Sequence, residues 1–177
     1  APEGGDPAIA EAIAAAKAAH MTDADAAVIA EIPQALDMHR SILVATDAVR
    51  AAAQADVAVL GHTTFGAPLA AGPMTRLDFD AFVRFGGGIA VAEITGGQLA
   101  AILARGNQFA AESLAQRTGD FVHVAQIDVD PAATYRLATN GWAAMNQGSY
   151  LGTEDIAFET VDGLELKAVI AAHLATL

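Results

Sequence analysis

ADVAVLGHTTFGAPLAAGPMTRLDFDAFVRFGGGIAVAEITGGQLAAIL, residues 55–103, carries the sharpest punctuation in the chain. Val57–Leu60 is a short, wholly apolar run that predicts a buried strand, and Gly61–Pro73 reads as a loop marked by glycine, threonine and proline. Thr75 suits a helix N-cap, with Asp78 three residues on in the favourable first turn, so a helix is expected over Thr75–Val83. Gly86-Gly87-Gly88 then turns the chain into a strand, Ile89–Ile94. Thr95-Gly96-Gly97-Gln98 has capping-box spacing, and a helix over Gln98–Arg105 follows.

Outward from this stretch the punctuation continues. Asp6-Pro7 reads as an N-cap and first-turn proline for a helix from Ala8 to about His20. Val28–Ile32 is a predicted strand stopped by Pro33, and Arg40–Gln54 a helix. Further on, Asn107–Arg117 reads as helix, Phe121–Val129 and Tyr135–Thr139 as strands with Asp130-Pro131 between them, and Trp142–Met145 as a helical turn. Ile156–Glu159 is a short predicted strand, Gly163 a break, and Leu164–Leu177 a closing helix with core patterning. Strands and helices interleave irregularly, which gives a mixed α/β or α+β class.

Composition bounds the function. A length of 177 residues is enough for one domain plus an appended helix. A net charge of −12 argues against a general nucleic-acid binder, which needs a basic face to displace counterions. No apolar run is long enough to span a bilayer. The absence of cysteine excludes disulfides and thiolate chemistry. No secretory leader is expected, because no basic region and hydrophobic run open the sequence.

Read together, ADVAVL, AGPMT, RFGG, EITGGQL and the later YRLATN resemble, in order and near spacing, the C-terminal domain of the 5'-nucleotidase family. The resemblance extends over roughly residues 25–177. It divides the chain into a linker helix region, 1–27, and a C-terminal-type domain, 28–177. It implies a four-layer α/β/β/α fold of two intertwined halves. It also implies a division of labour. The two-metal hydrolytic centre belongs to a separate N-terminal metallophosphoesterase domain, and this domain holds the nucleoside or sugar end of a small-molecule substrate. No cofactor is therefore expected in this chain. A periplasmic or secreted location is also implied.

The metal chemistry is consistent with that division. Two-metal hydrolysis needs several ligands converging within a few ångströms. The five histidines, at 20, 39, 62, 123 and 173, show no H-x-x-x-H pairing. Asp37-Met38-His39 matches D-x-H but has no Asn-His-Glu/Asp element after it. Asp120, Asp128 and Asp130 lack calcium-loop spacing. Gly86-Gly87-Gly88 precedes a strand, so it is no phosphate-cradling loop.

The binding residues follow from the resemblance. Family members sandwich a base between two aromatic side chains, and Phe85 and Trp142 fall at those positions. Stacking suits any base, because every base presents a π face. Composition alone favours core packing for each of them. Three recognition elements are altered. The loop asparagine is replaced by Gly61, the phosphate-clamping arginine by Gly66 and the ribose-binding aspartate by Gly148. His62, Arg84, Asn146 and Gln147 carry donors in the same loops, with Thr63, Thr64 and Ser149 beside them. Against this, a loop histidine is usually just solvated, and Arg84 could sit in a surface ion pair of small value. A changed ligand is the other reading. A ligand without ribose or terminal phosphate would not need the missing groups. The function expected is substrate recognition for a metallophosphoesterase. The alternatives are a stand-alone module without hydrolytic activity, or a branch acting on a thiosulfate-type anion.

Overall fold

The computed structural model describes residues 6–105, 108–112, 116–117, 126–127 and 129–177. Helix α1, Pro7–His20, starts where Asp6 accepts a hydrogen bond from the Ala8 amide at 2.9 Å, and none of its residues is buried. A short helix, α2, Asp23–Ala26, is closed by a Thr22–Asp25 capping box. Strand β1, Val28–Ile32, leads to α3, Met38–Ala52, whose cap Asp37 accepts from the Arg40 amide at 2.8 Å. The D-x-H match thus contributes a helix cap. Ile42, Ala45, Val49 and their neighbours recur at helical spacing and form the buried face of α3.

Strand β2, Val57–Gly61, is followed by a 3-10 turn, His62–Thr64, and then β3, Gly72–Thr75, which pairs antiparallel with β1. Helix α4, Arg76–Phe82, begins with a Thr75–Asp78 capping box. Strand β4, Gly88–Thr95, passes through the Thr95–Gln98 capping box into α5, Gly96–Leu103. Strands β5, Gln108–Glu112, β6, Gln116–Arg117, and β7, Gln126–Ile127, come next. Strand β8, Thr134–Asn140, runs into the short helices α6, Gly141–Met145, and α7, Gln147–Tyr150. Strand β9, Glu159–Glu165, and α8, Leu166–Leu174, complete the mixed α+β fold.

The main sheet has the order β5-β2-β8-β4-β9. Strands β2 and β8 are parallel, while the pairings β2–β5, β4–β8 and β4–β9 are antiparallel. Alternation splits its side chains between two cores. Ala58, Leu60, Ile89, Val91 and Ala138 face a cluster completed by α3, α4, α8 and the β1–β3 ribbon. Val57, Val59, Ala92, Ile94, Tyr135 and Leu137 face a second cluster with Leu99 and Ile102 of α5, Leu151 and Ile156.

Two expectations are corrected. Residues 108–112 form a strand and not the expected helix. They lie along β2 from Val57↔Glu112 to Gly61↔Gln108. Gln-Phe-Ala-Ala-Glu has good helix propensity, but β2 would otherwise present an open ladder edge, and tertiary pairing overrides the local preference. The last strand covers Glu159–Glu165 instead of Ile156–Glu159, with Gly163 inside it at φ +76°. The β4–β9 register shifts between Gly88 and Ala90, and a left-handed glycine accommodates that irregularity without breaking the strand. Of the expected strand at 121–129, only Gln126–Ile127 is described as strand. His123, Asp120 and Asp128 lie outside the described residues.

Candidate functional site

Strands β2 and β8 run side by side in the same direction and end at Gly61 and Asn140. Strand β4 runs the other way, with Ile89 opposite Asn140, so its entry loop, 84–87, arrives at the same end of the sheet. Three connections therefore crowd one end. Crevices beyond the carboxyl ends of parallel strands are where open sheets of this kind offer ligand sites.

The connections enclose a cavity of about 460 Å³, lined by Thr63 and Thr64 from the first, Phe85 and Gly86 from the second, and Asn140, Trp142 and Tyr150 from the third. Phe85 is 58% exposed and Trp142 59% exposed, so neither packs in the core. Backbone bonds hold the Phe85 loop in place. The Arg84 amide donates to the Thr64 carbonyl at 2.9 Å, and the Gly66 amide donates to the Phe82 carbonyl at 2.9 Å. Phe65 and Phe82 stack beneath it with ring centroids 5.2 Å apart. The stem of Lys167 passes Gly86, and its ammonium reaches Asp80 at 2.6 Å. That hydrogen bond, with Arg76 beside it, holds the Asp80 carboxyl below its ordinary range against the opposing effect of burial. The pair thereby braces α8 against α4 next to the loop. Arg84 places its guanidinium 5.5 Å from the centroid of the Phe85 ring, and no carboxylate pairs with it among the described residues.

A second cavity of about 400 Å³ adjoins α6 and α7, lined by Met145, Asn146, Gln147, Gly148, Ser149 and Glu154. Its one charged side chain is the Glu154 carboxylate. This charge suits a hydroxyl or amine and disfavours an anion. Among the described residues no group of three potential ligands converges to hold a metal ion.

A model of the 5'-nucleotidase C-terminal domain matches residues 17–128, more than half of the chain. The chain belongs to the 5'-nucleotidase C-terminal domain family. By sequence, no curated protein matches the domain. Its fold is similar to that of a 5'-nucleotidase precursor from Thermus thermophilus, with a TM-score of 0.69 at 17% identity over 94% of this chain and 40% of that one. It is also similar to an NAD nucleotidase from Haemophilus influenzae, with a TM-score of 0.64 at 13% identity over 96% and 39%. A Thermus thermophilus sulfate thiohydrolase, solved with glycerol, gives 0.61 at 16% identity over 96% and 36%. The domain thus spans about two-fifths of the length of these structures, and the fold class is the one expected.

The structure brings Phe85 and Trp142 to one cavity and sets Arg84 against Phe85. His62 is exposed on the adjoining turn and lines neither cavity. Asn146 donates through Nδ2 to the Trp142 carbonyl at 2.9 Å and so closes α6. Gln147 uses both ends of its amide on Ile156, accepting from the amide at 3.1 Å and donating to the carbonyl at 2.8 Å. It clamps the 152–156 loop.

The three glycine positions differ in kind. A Cβ at Gly61 would make ordinary contact with the Tyr150 ring at 3.6 Å. At Gly66 it would come within 2.6 Å of both the Ala81 carbonyl oxygen and Arg84 Cδ, and at Gly148 within 2.6 Å of Glu154 Oε1. Sequence reading passed over Asn140, Tyr150 and Glu154. For Asn140 a signal was present, since an asparagine ending a strand and followed by a helical turn is a capping residue.

Proposed function

We propose that this chain is the ligand-recognition domain of a bimetallic phosphoesterase and holds a flat aromatic ring between Phe85 and Trp142. The metal centre then lies in a separate N-terminal domain, with α1 within the linker toward it and the whole in the periplasm or outside the cell. The reading rests on one observation. The chain's only tryptophan and a loop phenylalanine, both more than half exposed, line the same cavity. Two large exposed aromatics sharing one cavity are unusual unless something binds there.

A ligand without a terminal phosphate fits the site better than a nucleotide. Gly66 offers no clamping side chain and no room for one, and the polar cavity carries a carboxylate. Titration of the chain with adenosine, AMP and thiosulfate, followed by Trp142 fluorescence, tests both parts. Adenosine is expected to change the emission and to bind at least as well as AMP. No response to any nucleoside or nucleotide would sink the stacking role. A response to thiosulfate alone would favour the non-nucleotide branch.

A further inference from the structure

Two of the cavity's lining residues are largely buried and each keeps one side-chain group without a protein partner. Thr64 is 5% exposed and Asn140 is 9% exposed. Among the described residues neither the Thr64 hydroxyl nor the Asn140 Nδ2 makes a hydrogen bond, and neither atom is sealed from solvent, so both remain open to a group in the cavity their residues line.

The orientation of the Asn140 amide is fixed. Its Oδ1 accepts from the Ala143 backbone amide at 2.7 Å. A backbone amide only donates, so the atom facing it must be oxygen, and Nδ2 is turned away from the helix end. Flipping the side chain would lose the cap of α6. The two groups come from different connections, the turn after β2 and the end of β8, and meet only because those strands are parallel neighbours.

We infer that Thr64 and Asn140 form a polar pair on the buried side of the aromatic cavity that reads the edge of a flat heterocycle. Asn140 Nδ2 donates to a ring-nitrogen or carbonyl acceptor, and the Thr64 hydroxyl, able to donate or accept, takes the neighbouring edge atom. The ligand class is a neutral planar heterocycle with at least one acceptor on its inward edge, as in a nucleobase or a pyridine carboxamide. This rests on the proposed stacking of a ring between Phe85 and Trp142, and it adds the selectivity that stacking alone lacks, since stacking tolerates any π face.

The test compares adenine with indole, a flat bicycle that has no acceptor nitrogen, by calorimetric titration of the 177-residue chain. Asn140→Asp and Asn140→Ser both keep a side-chain oxygen able to cap α6 and both remove the amide donor. The serine variant is uncharged and controls for the new carboxylate. Thr64→Val removes the hydroxyl at nearly constant shape. The wild type is expected to prefer adenine. Each Asn140 variant should reduce the adenine-to-indole affinity ratio about tenfold, and Thr64→Val about threefold to tenfold, with indole affinity held within about twofold. Binding of both rings by the wild type, with the ratio unchanged in Asn140→Ser and Thr64→Val, overturns the paired edge and leaves the stacking site standing. Failure of the wild type to bind either ring overturns both.

Discussion

Replacing Trp142 by alanine separates a binding role from a packing role, because the two assign the indole different energies. A buried tryptophan truncated to alanine costs about 3–5 kcal/mol of stability. Trp142 is 59% exposed and belongs to neither hydrophobic cluster, so little of that cost applies, and a change of about 0.5 kcal/mol or less is expected in chemical denaturation. The same side chain lines the 460 Å³ cavity together with Phe85. A stacked base gains about 1–3 kcal/mol, so the variant should lose about 5- to 150-fold in affinity for adenosine by calorimetry. Trp142→Phe should recover most of that loss. The reasoning fails if Trp142→Ala unfolds the domain by more than about 2 kcal/mol, or if adenosine binds the variant as it binds the wild type.

Two further outcomes follow from the scaffold around the cavity. The Asp80 carboxyl is held below its ordinary range chiefly by Lys167, so its contribution to stability is fully present above the unfolded-state value near pH ~4 and is lost as the pH falls through the lower folded value. Asp80 and Lys167 are partly exposed, so solvent screening limits the effect. Asp80→Asn should cost about 1 kcal/mol or less at pH 7 and flatten the acid limb of stability against pH. An unchanged acid limb would remove the pair from the bracing of α4 and α8. Alanine at Gly66 and at Gly148 should behave differently although each new Cβ meets an atom at 2.6 Å. At Gly66 one obstacle is the Ala81 backbone carbonyl, and a loss of about 1–3 kcal/mol is expected. At Gly148 the obstacle is the end of Glu154, which can swing aside. That substitution should stay within about 0.5 kcal/mol of wild type in thermal melts.

Elements whose boundaries are set by local chemistry were legible in the sequence. Both helix caps read within the quoted stretch are present, with the Asp78 amide donating to Thr75 Oγ1 and the Gln98 amide to Thr95 Oγ1, each at 3.2 Å. A cap depends only on residues three apart, so it can be read without a fold. Strand β5 could not be read in this way. Its helical composition yields to the free edge of β2, some fifty residues earlier in the chain. The site divides along the same line. Phe85 and Trp142 were placed by resemblance, but their shared cavity exists because β2, β4 and β8 bring their loops to one end of the sheet. Gln147 looked like a ligand donor because its partner, Ile156, belongs to a loop with no motif of its own.

The glycines that replace the expected recognition groups are not simple deletions. Over Gly66 lies the stem of Arg84, and over Gly148 the carboxylate of Glu154. Each side chain carries the charge sign expected at the glycine it covers, but from a different backbone position and so with a different reach. Arg84 directs its guanidinium to the face of Phe85, where a cation strengthens the aromatic wall by cation–π attraction instead of standing free in the loop. Glu154 brings a carboxylate acceptor to the wall of the second cavity. The aromatic cavity thus has a cation over one of its lining rings, and the second cavity has a carboxylate in its wall. A carboxylate in the second cavity disfavours an anion there and suits a hydroxyl or an amine. On the reading proposed above, the change from the family pattern is a relocation of charge that would act on the substituent carried by a bound ring, with Phe85 and Trp142 still lining one cavity.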